Sequence, residues 1–397
     1  MLKCFLFILT LLTLILVLYI FSMDRKNIKI RFVIQLIVIE IVIAYIMLVS
    51  RMGTGAVKIV SHGFDTLMKH AGTGTRFIFG DLVPYNKFIF FFDVLIPIIL
   101  ISALIGILQY TKILPFIIKT GGWCLSKING MGQLESFNAL SSIILGQSEN
   151  FIIYKNILSQ ISEKRMYTMA ATSMSTVSLS MLGSYMQLLN SEYIITALIL
   201  NIFSTFIVLH ILNPYNISQS DQSKTLCLNH SKKEQNFLEI LSEYILDGSK
   251  IAVTVGAILI GFISVLSVVN HVCLVILKIN FQDILGYIFL PFTWLLRIPS
   301  YDAQKASIIM ATKLFANEFV AMIYLKENII EFSNYSIAVL SVFLVSFANF
   351  GSIGIILGTI KALNEKRSEF IANHGWRLIF GATMVSFLSA LITGFVL

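Results

Sequence analysis

Two polar clusters interrupt otherwise apolar sequence and hold the side chains best suited to chemistry. Gly146-Gln147-Ser148-Glu149-Asn150 forms the apex of residues 134–158, and Asn317-Glu318 lies at the centre of residues 307–325, about 170 positions later. Each is flanked by apolar runs too short to cross a bilayer, which takes about 20 residues as a helix. A carboxylate or carboxamide at membrane depth is costly facing lipid, so it must face protein or a water-filled cavity. The pattern predicts two re-entrant helical hairpins with polar tips inside a binding cavity. The chemistry on offer there is hydrogen bonding to a polar solute. Glu149 and Glu318 are in addition the carboxylates available to carry a proton, with Glu318 slightly preferred and Glu135, at the first hairpin's entrance, a third candidate more suited to a helix-end role.

The rest of the chain is membranous. Of 397 residues 57% are hydrophobic and 13% charged, with mean hydropathy +0.85, against roughly 25% charged residues in a soluble protein. The net charge of +8 fits basic cytoplasmic loops better than nucleic-acid binding. Cys4, Cys124, Cys227 and Cys273 lack CxxC spacing and the six histidines form no HExxH motif, so neither a metal site nor a disulfide framework is expected. No cofactor is expected either. Gly72-Thr73-Gly74 is read as a turn, because the Lys-Ser/Thr of a phosphate loop does not follow it.

Spans are expected at 5–22, 32–49, 88–109, 194–212, 249–270 and 377–396. Helices along the surface are expected at 111–127 and 281–297, and a surface segment with an amphipathic helix at 50–87. Residues 166–189 are apolar but rich in hydroxyls, and 335–360 are broken by Asn349 and a Gly-Ser pair. Both read as interrupted helices, since Ser and Thr can satisfy backbone groups freed at a break. The loop at 24–31 places the N-terminus outside, the first hairpin opens to the cytoplasm and the second to the outside. The expected fold is therefore an all-α integral membrane protein with about eight transmembrane helices, two re-entrant hairpins and two interfacial helices in inverted repeats. Its expected divisions are N-terminal helices with the first interfacial helix at 1–133 and a half made of hairpin, broken helix and span at 134–213. A cytoplasmic linker at 214–247, a helix with the second interfacial helix at 248–299 and a second half of hairpin, broken helix and span at 300–397 follow.

The segments GQSEN at 146–150, NEFVA at 317–321 and SFANFGSIGI at 346–355 resemble the signature motifs of concentrative nucleoside transporters. The similarity to bacterial nucleoside permeases runs over essentially the whole chain, through GMGQLESFNA, MYTMAATSMSTVS and GYIFLPFTW. The resemblance implies a homotrimer whose scaffolds surround mobile transport domains that move as elevators, in a bacterial inner membrane. It implies Gln147, Ser148, Glu149 and Met181 near the nucleobase, Glu318, Asn349 and Ser352 on the ribose, and Phe347 as the aromatic beside the substrate. Such a site suits nucleosides such as uridine, cytidine or adenosine, which offer an amide-edged ring and vicinal hydroxyls.

The motifs hold no arginine, so a phosphate finds no bidentate fork. Lys313, the one cation in the second hairpin, is expected to pair with a carboxylate or a helix end. Sodium-coupled members of the family carry an asparagine where this chain has Ser142, and Gly351 stands where a serine is frequent. The resemblance to proton-driven members favours nucleoside:proton symport. The alternatives are sodium symport or, from another class, a membrane-embedded enzyme. A carrier of dicarboxylates or amino acids would want a cationic clamp that the motifs lack.

Overall fold

Apolar runs bounded by glycines, prolines, asparagines and charged turns fold as helices in the computed structural model. It describes residues 2–83, 88–155, 157–216 and 236–397, with positions 2, 81, 148 and 149 described by their backbone alone. Among the described residues there is no strand. The first half comprises α1 (Leu2–Ile20), α2 (Ile30–Leu48), α3 (Arg51–Phe79), a π-helical turn at Phe91–Leu95 that leads into α4 (Pro97–Tyr110), and α5 (Ile113–Ile128). Hairpin 1 follows as α6 (Gln133–Leu145) and α7 (Gln147–Ile153), then a broken helix, α8 (Glu163–Ser175) and α9 (Leu179–Met186), then α10 (Ser191–Leu212).

The second half repeats the plan. It runs α11 (Phe237–Leu277), α12 (Phe281–Leu295), hairpin 2 as α13 (Ser300–Phe315) and α14 (Glu318–Glu327), a second broken helix, α15 (Asn334–Leu344) and α16 (Phe350–Leu363), a short α17 (Glu365–Asn373) and α18 (Gly375–Val396). Among the described residues six helices are long and apolar enough to cross a membrane: α1, α2, α4 with its π turn, α10, α11 and α18. The two broken helices bring the spans to the eight expected.

Two stretches differ from expectation. The amphipathic helix expected within 50–87 is present but takes up most of that segment, 29 residues from Arg51 to Phe79. Its buried side chains Val57, Ala71 and Thr75 make a thin stripe, and thin stripes read as polar sequence. The helix α11 begins at Phe237, inside the stretch expected as linker to 247, and runs 41 residues. That is about 60 Å at 1.5 Å per residue, twice a hydrocarbon core of about 30 Å. Its first turns carry Glu239, Glu243 and Asp247 and look like linker because they stand beyond the apolar core. Residues 217–235, with Cys227, lie outside the described residues.

The helices α1 and α2, expected with the scaffold, pack against α10 and α18, whereas the chief partner of α4 is α11. Three basic segments converge on one side. Lys164 after hairpin 1 reaches Asp24 in the α1–α2 loop at 3.1 Å, and Arg367 of α17 donates to the Ser159 carbonyl at 3.0 Å.

Each hairpin is docked to the broken helix that follows it by the same device. The third residue of α6, Glu135, accepts from Nε of Arg165, the third residue of α8, at 2.5 Å and from its Nη2 at 3.1 Å; the Tyr215 hydroxyl adds a third donor at 2.9 Å. The third residue of α13, Asp302, accepts from the Ser333 backbone N–H at 3.1 Å and from the hydroxyls of Ser333 and Ser336 at 2.8 and 2.6 Å. Ser336 is the third residue of α15. Glu135 is thus committed to a structural ion pair, the helix-end role.

Removing one partner of a buried ion pair strands the other, at about 3–5 kcal/mol. Arg165→Met is therefore expected to lower the unfolding temperature of the detergent-solubilised protein sharply. The double variant Glu135→Met/Arg165→Met is expected to lie nearer to the parent protein than Arg165→Met does. A single variant as stable as the parent would contradict the docking role.

Candidate functional site

The site is built where hairpin tips meet helix breaks. At hairpin 1, Gly146 ends α6 and opens α7 with φ +88°, a conformation that side chains other than glycine rarely adopt, and a Cβ there would touch Ser178 at 3.4 Å. Ser178 closes the extended break between α8 and α9. The tip is fixed by Asn150, whose Nδ2 shares its two N–H groups among Asn138 Oδ1 at 2.8 Å, Ser142 Oγ at 2.7 Å and Ser173 Oγ at 3.0 Å. Ser141 donates to Asn150 Oδ1 at 2.5 Å, and Asn138 Nδ2 reaches the Met169 carbonyl at 3.1 Å. All of these side chains are buried. Packing of α7 against α16 carries this tip onto the second repeat.

At hairpin 2 the break is capped by asparagine. Asn317 is the N-cap of α14 and accepts from the Val320 N–H at 3.0 Å, a favoured capping geometry. Glu318 opens α14, where the helix dipole favours negative charge. Its Oε1 accepts from the Tyr185 hydroxyl at 2.8 Å and its Oε2 from Asn349 Nδ2 at 2.8 Å. Asn349 in turn caps α16 by accepting from the Ser352 N–H at 2.8 Å. Glu318 is 4% exposed, so this is a carboxylate held dry by two neutral donors.

Glu318, Asn349 and Ser352 are thus brought into one hydrogen-bonded chain across hairpin 2 and the second helix break. Phe347 lies in that break and is buried, as is Met181 on α9. Gln147 opens α7, and its buried Oε1 has no partner among the described residues. A buried acceptor without a donor is costly, so an orphan of this kind marks where a ligand N–H would dock. The side chains of Ser148 and Glu149 lie outside the described residues.

Tyr185 was not singled out by the sequence. It stands one helical turn beyond Met181 on the same face of α9, and its ring meets Phe319 edge-on at 4.9 Å. A phenol at i+4 from a candidate contact was the available signal.

Family models described as "Na+ dependent nucleoside transporter" match residues 9–82 (N-terminus) and 193–394 (C-terminus), and one described as "Nucleoside recognition" matches 91–192. The chain is 34% identical to the purine nucleoside transport protein NupG of Bacillus subtilis, over 95% of each chain. It is 26% identical to the nucleoside permease NupC of Helicobacter pylori, over 96% of this chain and 95% of that one. Among solved structures it resembles CNTnw in an inward-facing substrate-bound state, with TM-score 0.92, 24% identity, and 99% of this chain and 98% of that one covered. A substituted CNTnw in an outward-facing state gives TM-score 0.94 at 24% identity, covering 100% and 99%.

Tyr185 and Asn349 both act on Glu318, so their effects should not add. Tyr185→Phe deletes one donor to a buried carboxylate and is expected to destabilise the protein by about 1–3 kcal/mol. In a Glu318→Gln background the same change should matter less, which a double-mutant cycle on detergent-solubilised protein reads directly. Equal effects in both backgrounds would break the assignment.

Proposed function

Because the chain belongs to the concentrative nucleoside transporter family, and is a multi-pass membrane transporter, we propose that it imports nucleosides across a bacterial inner membrane by proton symport. The observation that carries the substrate assignment is Glu318. A carboxylate offers about four lone-pair sites, of which Tyr185 and Asn349 use two. Two remain for the vicinal hydroxyls of a ribose, and Asn349 and Ser352 flank them. A dry site that has given up water for two hydroxyl donors rejects a sugar lacking one, because an acceptor is then left unpaired.

Gln147 serves the nucleobase edge through its unpartnered carboxamide oxygen, with Ser148 and Glu149 beside it in the chain. Met181 and Phe347 supply the apolar walls that a flat ring needs. The 34% identical relative is named for purine nucleosides, so the substrate panel pairs adenosine with uridine and cytidine.

Proton coupling draws its support from hairpin 1. The hydroxyl of Ser142 is donated to the Asn138 carbonyl at 2.6 Å, and the Asn150 amide points its N–H groups at Ser142 and Ser173. A cluster filled by its own N–H donors offers a cation few free oxygens, whereas hard cations want several converging on them. Glu318 and Glu149 are the coupling carboxylates of this reading. Elevator motion is taken from the family resemblance; beside hairpin 2 an open cleft of about 490 Å³ lies between α11 and α14, lined by Ser267, Asn270, His271, Tyr324 and Glu327 together with apolar side chains. A homotrimer in which the scaffolds surround the moving domains completes the proposal.

Counterflow of radiolabelled uridine or adenosine in proteoliposomes tests the core claim, since exchange without product formation selects a carrier over an enzyme. Glu318→Gln and Asn349→Ala are expected to abolish or strongly weaken uptake while the protein still reaches the membrane. Gln147→Ala should reorder uridine, cytidine and adenosine. A uniform drop across the three would mean that Gln147 only shapes the tip.

For coupling, uptake should rise as external pH falls, collapse with a protonophore and ignore replacement of sodium by choline. Accumulation driven by a sodium gradient at equal pH on both sides would sink proton coupling while leaving nucleoside transport intact.

A further inference from the structure

One buried charge in the transport region has no part in the reading so far. Lys313 on α13 lies four residues before Asn317, the N-cap of α14, and is 1% exposed. Its Nζ donates to the Phe343 carbonyl at 2.5 Å, to Ser346 Oγ at 2.7 Å and to Ser386 Oγ at 2.8 Å. It also stands 4.4 Å from the centre of the Phe343 ring, within cation–π range. An ammonium has three N–H donors and no acceptor, so three oxygens match it donor for donor. Those oxygens come from the last turn of α15, from the break after it and from α18. The negative end of the α15 dipole therefore points at the Lys313 amine and favours its charged form.

The other repeat has the same place differently filled. Ser142 lies four residues before Gly146, the N-cap of α7, and its hydroxyl meets Ser173 near the end of α8 at 3.0 Å. There the nitrogen donor is the neutral Asn150 amide. Each hairpin thus brings a protein nitrogen to oxygens beside the helix break that follows it, an amide onto Ser173 in one and an amine onto the Phe343 carbonyl and Ser346 in the other.

We propose that Lys313 is a tethered monovalent cation. Its ammonium occupies a cation site formed by the Phe343 carbonyl, Ser346 and Ser386, and holds the break at 345–349 in the shape that presents Phe347 and Asn349. Asn201 holds the same break from another side by donating to the Val345 carbonyl. Lys313 is a positioning residue, and its role rests on the reading of Glu318 and Asn349 as nucleoside contacts. Truncating it leaves an oxygen-lined space that a small free cation can refill.

The test is equilibrium binding of the radiolabelled nucleoside panel to purified full-length protein, with sodium held constant and methylammonium titrated against choline. Wild-type binding should be flat in methylammonium. Lys313→Ala should bind about tenfold or more weakly in choline, as expected for losing charge-assisted hydrogen bonds, and recover with methylammonium. Tetramethylammonium is too large and should not rescue, nor should Lys313→Met respond, because its side chain fills the space. A variant that is monodisperse only when extracted in methylammonium also supports the proposal. Wild-type affinity of Lys313→Ala in choline, a monodisperse variant flat in methylammonium, or aggregation in both salts overturns it. Absence of nucleoside binding by the wild type would instead overturn the substrate assignment, so the two failures are distinct.

Discussion

Everything in this fold answers to one constraint: a broken helix inside a bilayer frees backbone groups that no water is there to satisfy. Each break exposes the C-terminal carbonyls of one half-helix and the N–H groups of the next. At the second break the chain closes them with side chains. Asn349 caps the helix after the second break through the Ser352 N–H, and Lys313 takes a carbonyl of the helix before it. Once closed in this way a break is a rigid polar surface at membrane depth, which is what a hydrophilic solute needs in order to be held there.

The hairpins exist to bring those closing groups to the breaks, and the inverted repeat makes the arrangement reciprocal. Glu135 and Asp302 dock each hairpin's entrance to the start of its own broken helix. The tips then reach across: α7 packs on α16, and Glu318 at the tip of hairpin 2 takes the hydroxyl of Tyr185 on α9. Each hairpin is therefore anchored in its own repeat and reads the other. The two helix breaks are thereby held against each other, with Glu318 of the second repeat bonded to Tyr185 of the first.

The polar tips were legible because short apolar runs around a carboxylate have few interpretations in a membrane protein. The breaks were legible because hydroxyls and a Gly-Ser pair crowd into otherwise apolar sequence. What the sequence left obscure depends on contacts between distant positions. Tyr185 and Glu318 are 133 positions apart, and a tyrosine in an apolar helix has no local mark of partnership. Lys313 was expected beside a carboxylate or a helix end, and it is the helix end that holds it. Two of its three partners lie in the next broken helix and the third on α18, so no spacing rule could name them. The early start of α11 escaped for another reason, since helical turns outside the hydrocarbon obey the composition of a soluble linker.

The two repeats share a backbone plan but not a charge plan, and the difference bears on transport. Glu135 and Arg165 cancel within the first repeat. In the second, Lys313 stands in the same hairpin as Glu318, five residues away, and the ammonium proposed for it is held by three oxygens. With that cation held in place, an ionised Glu318 leaves the pair neutral and a protonated one leaves it a single positive charge. Under the proton coupling proposed for Glu318, such a carrier would move inward with one more positive charge than it carries on its return. A membrane potential that is negative inside contributes about 2.3 kcal/mol per charge per 100 mV to such a step. The lysine would then set the sign of the moving charge while the carboxylate sets its timing, a division of labour that an inverted repeat with identical halves could not provide.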